Sequence, residues 1–238
     1  MCVIIAKGKT DRLPTKEELK QCFEYNNDGA GFMYTDNGKV IIDKGYMKWE
    51  SFIKHYYKLV TKYDNFKDKC LVIHCRIGTG GGNNMHNTHG YPLTDSIAEM
   101  QKIYNTCDVG LMHNGVISDY KPQASYYNDT QEFIKEFVVN LQKFDKHFYK
   151  RQYFRDMIKN NSNSKWAILD KDDNLYTCGV FDIDNGLKFS NLNHKHRYNY
   201  NYNYSRAWGY DRDYDYVYED MFGNTYSKNG IKLAGGNQ

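Results

Sequence analysis

Met1-Cys2-Val3-Ile4-Ile5-Ala6 opens the chain, and the reading of this stretch decides the fold. Val3 to Ala6 show no alternation between apolar and polar residues, so the segment reads as a strand buried on both faces rather than one lying half in solvent. The strand is headed by a cysteine. If Met1 is removed, Cys2 carries a thiol and a free α-amino group together, with unperturbed pKa values of about 8.5 and about 8. One residue then holds both a nucleophile and a base, a known variant of triad logic. The plainer alternative is that cysteine is merely a small second residue that permits removal of methionine.

Working outward, Thr15 with Glu18 three residues on forms a capping box, which predicts a helix running to about Tyr25. Gly31-Phe32-Met33-Tyr34, the turn signal Asn37-Gly38 and Lys39-Val40-Ile41-Ile42 predict a hairpin. Trp49, Phe52, Ile53, Tyr56 and Tyr57 recur at helical spacing within 48–63. Leu71-Val72-Ile73 is a short buried strand delivering His74-Cys75-Arg76, and the Gly- and Asn-rich 77–92 reads as a loop. Val109-Gly110-Leu111-Met112 enters His113-Asn114-Gly115. A helix starts at Asp129 or Thr130, a second covers about 150–159, and Trp166–Leu169 with Leu175–Cys178 form a closing hairpin. This order suits a domain of two packed sheets with outer helices.

The 238 residues carry a net charge of only +3, which gives no push toward nucleic acid or membranes. There is no basic-plus-apolar leader and no apolar run of about 18 residues, so neither secretion nor a membrane span is expected, and a cytoplasmic location is. In that setting the six cysteines are expected as reduced thiols. None forms a Cys-x-x-Cys pair, so no metal site is expected. Tyrosine is the outlier, with 23 residues crowding toward the C-terminus in runs such as Tyr198-Asn199-Tyr200-Asn201-Tyr202.

Chemistry gathers at Cys2, at Asn26-Asn27-Asp28-Gly29-Ala30-Gly31, at His74-Cys75-Arg76-Ile77-Gly78-Thr79, at Asn87-Thr88-His89-Gly90-Tyr91-Pro92, at His113-Asn114-Gly115-Val116-Ile117 and at Asn128-Asp129-Thr130-Gln131. In this order the motifs resemble those of the class II glutamine amidotransferases, the glutaminase branch of the N-terminal-nucleophile hydrolases. Ser190-Asn191 is similar to a late Ser-Asn signature of the small stand-alone members. Val3 stands where the family usually has glycine, Ile77 where many members have an aromatic residue, and Gly90 is an extra residue after His89.

The resemblance implies an α+β fold, a four-layer αββα sandwich of the N-terminal-nucleophile hydrolase type over residues 1–193, followed by a Tyr/Asn-rich tail, 194–238, disordered or loosely packed. It implies that Cys2 attacks the side-chain amide of glutamine, its α-amine relaying the proton to departing ammonia. Asn114 and the Gly115 N–H would hold the oxyanion, Arg76 would clamp the substrate α-carboxylate, and Asp129 would receive its α-ammonium. Thr79 and His89 would shape or close the pocket. No cofactor is implied. Glutamine is the expected small-molecule substrate, with a separate synthase or acceptor partner where a product is made.

Each residue also has a plainer reading. Asp129 would equally cap its helix, Asn114-Gly115 would make an ordinary turn, and Arg76 would pair at the surface. His74 and His113 read better as packing or hydrogen-bonding residues than as acid–base groups, and Asp28-Gly29 as an architectural turn. Two further functions stay open: a γ-glutamyl amide or peptide hydrolase without an acceptor, and a catalytically degenerate binding module. For the latter, aromatic and basic residues interleave in the tail as in single-strand binders. The acidic Asp211, Asp213, Asp215, Glu219 and Asp220 argue against nucleic acid.

Overall fold

The computed structural model describes residues 2–62, 66–78 and 82–195, together with three short strands beyond residue 217. The chain divides into two compact units, Met1–Arg197 and Tyr198–Gln238. In the first, β1 (Val3–Lys7) leads to helix α1 (Lys16–Tyr25), and β2 (Ala30–Asp36) and β3 (Lys39–Tyr46) follow as a hairpin. Thr15 caps α1 in the expected box: its hydroxyl accepts the Glu18 N–H at 3.2 Å and the Glu18 carboxylate accepts the Thr15 N–H at 2.8 Å. The hairpin turns on Asn37 and Gly38 with φ of 48° and 69°, the left-handed pair that matches the strand twist. Helix α2 (Trp49–Lys62), β4 (Leu71–Cys75), β5 (Tyr91–Pro92), the short α3 (Ile97–Met100), β6 (Tyr104–Cys107) and β7 (Val109–Asn114) come next. Then α4 (Asp129–Phe133) runs through a π turn (Ile134–Val138) into α5 (Val139–Leu141). The unit closes with α6 (Gln152–Ser162), β8 (Lys165–Asp170), β9 (Leu175–Cys178), β10 (Asp182–Asp184) and β11 (Leu187–Phe189).

Among the described residues these strands make two antiparallel sheets, β10-β11-β1-β4-β2-β3-β6 and β5-β7-β8-β9. The architecture is α+β. β1 is central in the larger sheet, and all five of its residues are buried. Its side chains alternate between two cores, as a strand covered on both faces requires. Val3 and Ile5 pack with Leu19, Phe23, Phe52 and Tyr56 of α1 and α2. Ile4 and Ala6 join Met33, Val72, Met112, Ala167 and Leu169 from both sheets. A further core sets Leu111, Trp166 and Ile168 of the smaller sheet against Phe133, Ile134, Val138 and Ile158. Each fully buried isoleucine or phenylalanine contributes about 1.5–3 kcal/mol, so β1 is fixed by apolar contacts on both sides of its sheet.

Register then sets the geometry of one end of the fold. Val3 pairs with Cys75, and Cys75 with Ala30 across the other edge of β4. Cys2, Arg76 and Gly29 therefore leave the larger sheet side by side.

Four strands, β5, β6, β10 and β11, depart from the sequence expectation. β6 is an edge strand of mixed exposure, Tyr104-Asn105-Thr106-Cys107, with no apolar alternation to reveal it. β10 and β11 form a hairpin on Asn185-Gly186, with φ of 46° and 78°. The 77–92 segment is not loop throughout, since Met85–Asn87 make a 3-10 turn and Tyr91–Pro92 become the edge of the smaller sheet. The six cysteines are free thiols. His194, buried against Phe189 with ring centroids 5.3 Å apart, belongs to the packed unit. Lys195 is held there too, its Nζ donating to Asp184 Oδ2 at 2.5 Å. From residue 196 on the expected tail lies outside the described residues, except for β12 (Tyr218–Glu219), β13 (Thr225–Tyr226) and β14 (Lys232–Ala234), one antiparallel sheet of the second unit. No helix among the described residues is long and apolar enough to cross a membrane.

Candidate active site

Cys2 stands immediately before β1, half-buried. Its Sγ accepts the Ile77 N–H at 3.3 Å and donates to the Ile77 carbonyl at 3.4 Å. Its own carbonyl accepts a hydrogen bond from Asn191 Nδ2 at 2.7 Å. Burial pushes the thiol above its ordinary pKa, while the Ile77 N–H and the Arg76 charge pull it back. A thiol so placed is protonated at neutral pH and needs a base in order to react.

Arg76 follows β4 and is buried. Its Nη2 donates to the Gly82 carbonyl at 3.1 Å and its Nη1 lies 3.5 Å from Asn83 Oδ1. Asp28 braces the same segment, accepting the Gly78 N–H at 2.8 Å and Asn83 Nδ2 at 2.6 Å. The backbones interlock as well, with Asp28 N–H on the Arg76 carbonyl at 3.0 Å and Arg76 N–H on the Gly29 carbonyl at 2.8 Å. Asp28-Gly29 is thus a clamp on the arginine loop. Gly29 sits at a φ of 105°, and a Cβ there would meet Thr88 Cγ2 at 2.6 Å, which is why glycine is required.

Asn114 ends β7 and Gly115 follows it. Asn114 Nδ2 donates to Ser190 Oγ at 2.7 Å, and Ser190 Oγ also accepts the Ile4 N–H at 2.8 Å. The amide nitrogen carries two protons, so one is committed to Ser190 and the other remains for a ligand. A Cβ on Gly115 would collide with Ser164, lying 2.7 Å from its Cβ and closer still to its Oγ. Asp129 is not the helix cap; that role falls to Asn128, whose side chain accepts the Gln131 N–H at 3.1 Å in a reciprocal capping box. Asp129 is the first helical residue, and its carboxylate accepts the Ile117 N–H at 2.6 Å and the Thr130 N–H at 2.9 Å. Burial raises its pKa, while these N–H groups and the Arg76 charge oppose the rise.

The three motif histidines stack behind this end of the sheets. His74 and His89 lie face to face with ring centroids 4.1 Å apart, and His113 follows 6.0 Å from His89. Burial holds His74 and His113 at about 3 and depresses His89 as well, so all three are neutral. His89 is therefore placed inside the stack rather than on the cavity described next, and Thr79 lies outside the described residues. Stacked rings point their nitrogens in parallel planes and not at a common centre. Among the described residues no cluster of His, Cys, Asp and Glu is arranged to hold a metal ion.

A cavity of about 620 Å³ opens beside the site, bounded by Gly82, Asp129 and the loop from Val116 to Tyr127. Ser190, Asn191, Asn83 and Ser164 complete the surroundings of the candidate residues. Of these only the Ser190-Asn191 pair left a trace in the sequence, and its partners lay too far along the chain to be named. No protein-family model matches the chain, and no curated protein matches it.

Proposed function

We propose that this chain is a glutaminase of the class II glutamine amidotransferase type, acting through Cys2 after removal of Met1. One observation carries the reading: residues drawn from four distant motifs meet at the same end of the two sheets. Cys2 and Arg76 leave adjacent strands, Ser190 ties Asn114 to the strand that Cys2 begins, and Asp129 is bonded to Ile117, two residues past Gly115. The three cores, one between the sheets and one beneath the helices on either side, support the four-layer αββα arrangement that belongs to this reading.

In the reaction, the Cys2 sulfur forms a bond to Cδ of the glutamine side chain while its proton passes to the α-amine. The second Nδ2 proton of Asn114 and the Gly115 N–H receive the developing oxyanion, a contribution of about 100- to 1000-fold per donor. The amine returns its proton as the C–N bond breaks and ammonia leaves. Water then attacks the thioester, releasing glutamate and the free thiol. Arg76 and Asp129 hold the α-carboxylate and α-ammonium at opposite sides of the substrate.

The test is one sample of protein whose mass shows that Met1 is gone. It is expected to release ammonia from glutamine and to gain one adduct on Cys2 from diazo-oxo-norleucine, with both lost in Cys2→Ala. A processed protein that neither turns over glutamine or a γ-glutamyl dipeptide nor takes the label refutes the proposal.

A further inference from the structure

The cavity beside Asp129 is larger than a single amino acid needs. At about 620 Å³ it falls in the range that accommodates a drug-sized ligand. Its position says which end of a substrate it serves. Asp129 and Gly82 are in its wall, whereas Cys2, Asn114 and Gly115 are not among the described residues lining it. The Gly82 carbonyl also accepts Arg76 Nη2 at 3.1 Å, so the spare room runs from the ammonium end of a bound glutamine at Asp129 toward its carboxylate end at Arg76, and not toward the departing amide nitrogen.

The cavity is preformed. Ile117 N–H donates to Asp129, Gln123 N–H donates to the Tyr127 hydroxyl at 2.8 Å, and that hydroxyl donates to Glu132 at 2.5 Å. Tyr120 packs edge-on against Phe133, with centroids 4.8 Å apart. The loop between these anchors exposes Val116, Ser118, Lys121, Gln123 and Ser125, so the cavity opens to solvent along one side. A closed pocket would suit a free amino acid; an open trough suits a chain that continues out of the site. Its charged lining residues are Asp129 and Lys121, a mostly neutral surface that fits peptide groups.

We infer that the cavity takes the residues following a substrate glutamine, so that the amide hydrolysed is the side chain of the N-terminal glutamine of a peptide. The inference rests on the glutaminase reading and narrows its substrate class. The free α-ammonium that Asp129 requires is present in such a peptide, and the carbonyl of its first peptide bond takes the place of the α-carboxylate at Arg76. The balance is that of the glutamine reaction: water is consumed, ammonia leaves, and the peptide now begins with glutamate.

The experiment compares free glutamine, the tripeptide Gln-Ala-Ala and γ-glutamyl-alanine with the full, Met1-processed chain. Product is read by mass as glutamine converted to glutamate, because spontaneous cyclisation of N-terminal glutamine also frees ammonia. Binding energy from the added residues is expected to raise kcat/KM for the tripeptide about tenfold or more over free glutamine. Ala124→Trp, which adds bulk to the cavity loop at a position assigned no part in holding free glutamine, is expected to abolish that advantage while turnover of free glutamine persists. A tripeptide no better than free glutamine, or a preference for γ-glutamyl-alanine, overturns the inference and leaves the glutaminase intact. Inertness toward all three, with Cys2 unlabelled by diazo-oxo-norleucine, overturns the glutaminase reading itself.

Discussion

Replacing Ser190 by alanine removes one oxygen that serves two buried donors. Ser190 and Ile4 are both fully buried, and Ser190 Oγ accepts from the Ile4 N–H at 2.8 Å and from Asn114 Nδ2 at 2.7 Å. An unsatisfied buried donor costs about 1–3 kcal/mol. The Ile4 N–H is fixed in a central strand and bears that cost in full, whereas the Asn114 amide can turn and recover part of it. The sum is about 2–4 kcal/mol, or about 5–15 °C in Tm for a domain of this size. In the proposed glutaminase reaction catalysis suffers separately, because Asn114 loses the partner that would aim its second proton at the oxyanion. kcat for glutamine is expected to fall about tenfold or more, short of the roughly 100- to 1000-fold for deleting a donor outright. KM is expected to hold, since Arg76 and Asp129 are untouched. Ser190→Thr keeps the oxygen and restores kcat, although its extra methyl in a packed site costs about 1–3 kcal/mol. Urea unfolding and steady-state kinetics on Ser190→Ala, Asn114→Ala and the double variant read these terms, with a coupling of about 1 kcal/mol expected between the two sites. A Ser190→Ala protein that loses under about 1 kcal/mol and keeps its kcat would refute the reasoning.

Two further predictions concern charge. Arg76 lowers the Cys2 thiol against the effect of burial, so Arg76→Gln is expected to move the pH profile of iodoacetamide alkylation at Cys2 to higher pH and to slow alkylation near pH 7.5; a profile that stays in place or moves down contradicts the assignment. His74 and His113 are buried neutral with pKa values pushed down to about 3, against about 6.5 when unfolded. The unfolded state therefore binds more protons below pH 6.5, and stability is complete above that value and drains away as pH falls toward 3. Each histidine contributes a slope approaching about 1.4 kcal/mol per pH unit, about 2.7 for the two. Urea unfolding between pH 7 and pH 4.5 measures this, and a flat dependence that His113→Gln leaves unchanged rules it out.

Much of the fold was legible because its signals are local. Thr15 and Glu18 are three residues apart, Asn37-Gly38 dictates its own turn, and the apolar runs of β1 and β4 read as buried strands, with those of β7 and β8 visible as a short apolar run and one arm of a hairpin. What stayed hidden depends on partners far along the chain. β6 forms because β3 offers it an edge, with Val40 opposite Cys107 and Asp43 opposite Tyr104, and its own residues carry no pattern. Asn128 and Asp129 are both competent caps in sequence. The choice falls to Asn128 because the Asp129 carboxylate is drawn to the Ile117 N–H, 12 residues away. Ser190 reaches Ile4 and Asn114 across 186 and 76 residues, a distance at which no local rule speaks. The candidate residues themselves were named through the ordered resemblance of motifs; their bonding partners came only with the three-dimensional arrangement.

The histidines show why those motifs contain more than their chemical residues. His74 precedes Arg76 by two positions, His113 immediately precedes Asn114, and His89 belongs to the segment whose carbonyl crowds Gly31. Their rings stack across the boundary between the two sheets, and the contacts are specific to imidazole. His89 Nδ1 accepts the His113 N–H at 3.3 Å, and His113 Nδ1 meets Thr130 Oγ1 at 2.8 Å, one residue after Asp129. A phenylalanine would supply the stacking but neither bond. The stack therefore links β4, which presents Arg76, to β7, which presents Asn114, and through Thr130 to the helix that presents Asp129. Neutral and desolvated, these rings are poorly suited to proton transfer at physiological pH, which in the proposed glutaminase reaction leaves the proton to the α-amine of Cys2. Packing at the back of the site and chemistry at its front are in this way two consequences of the same motif residues.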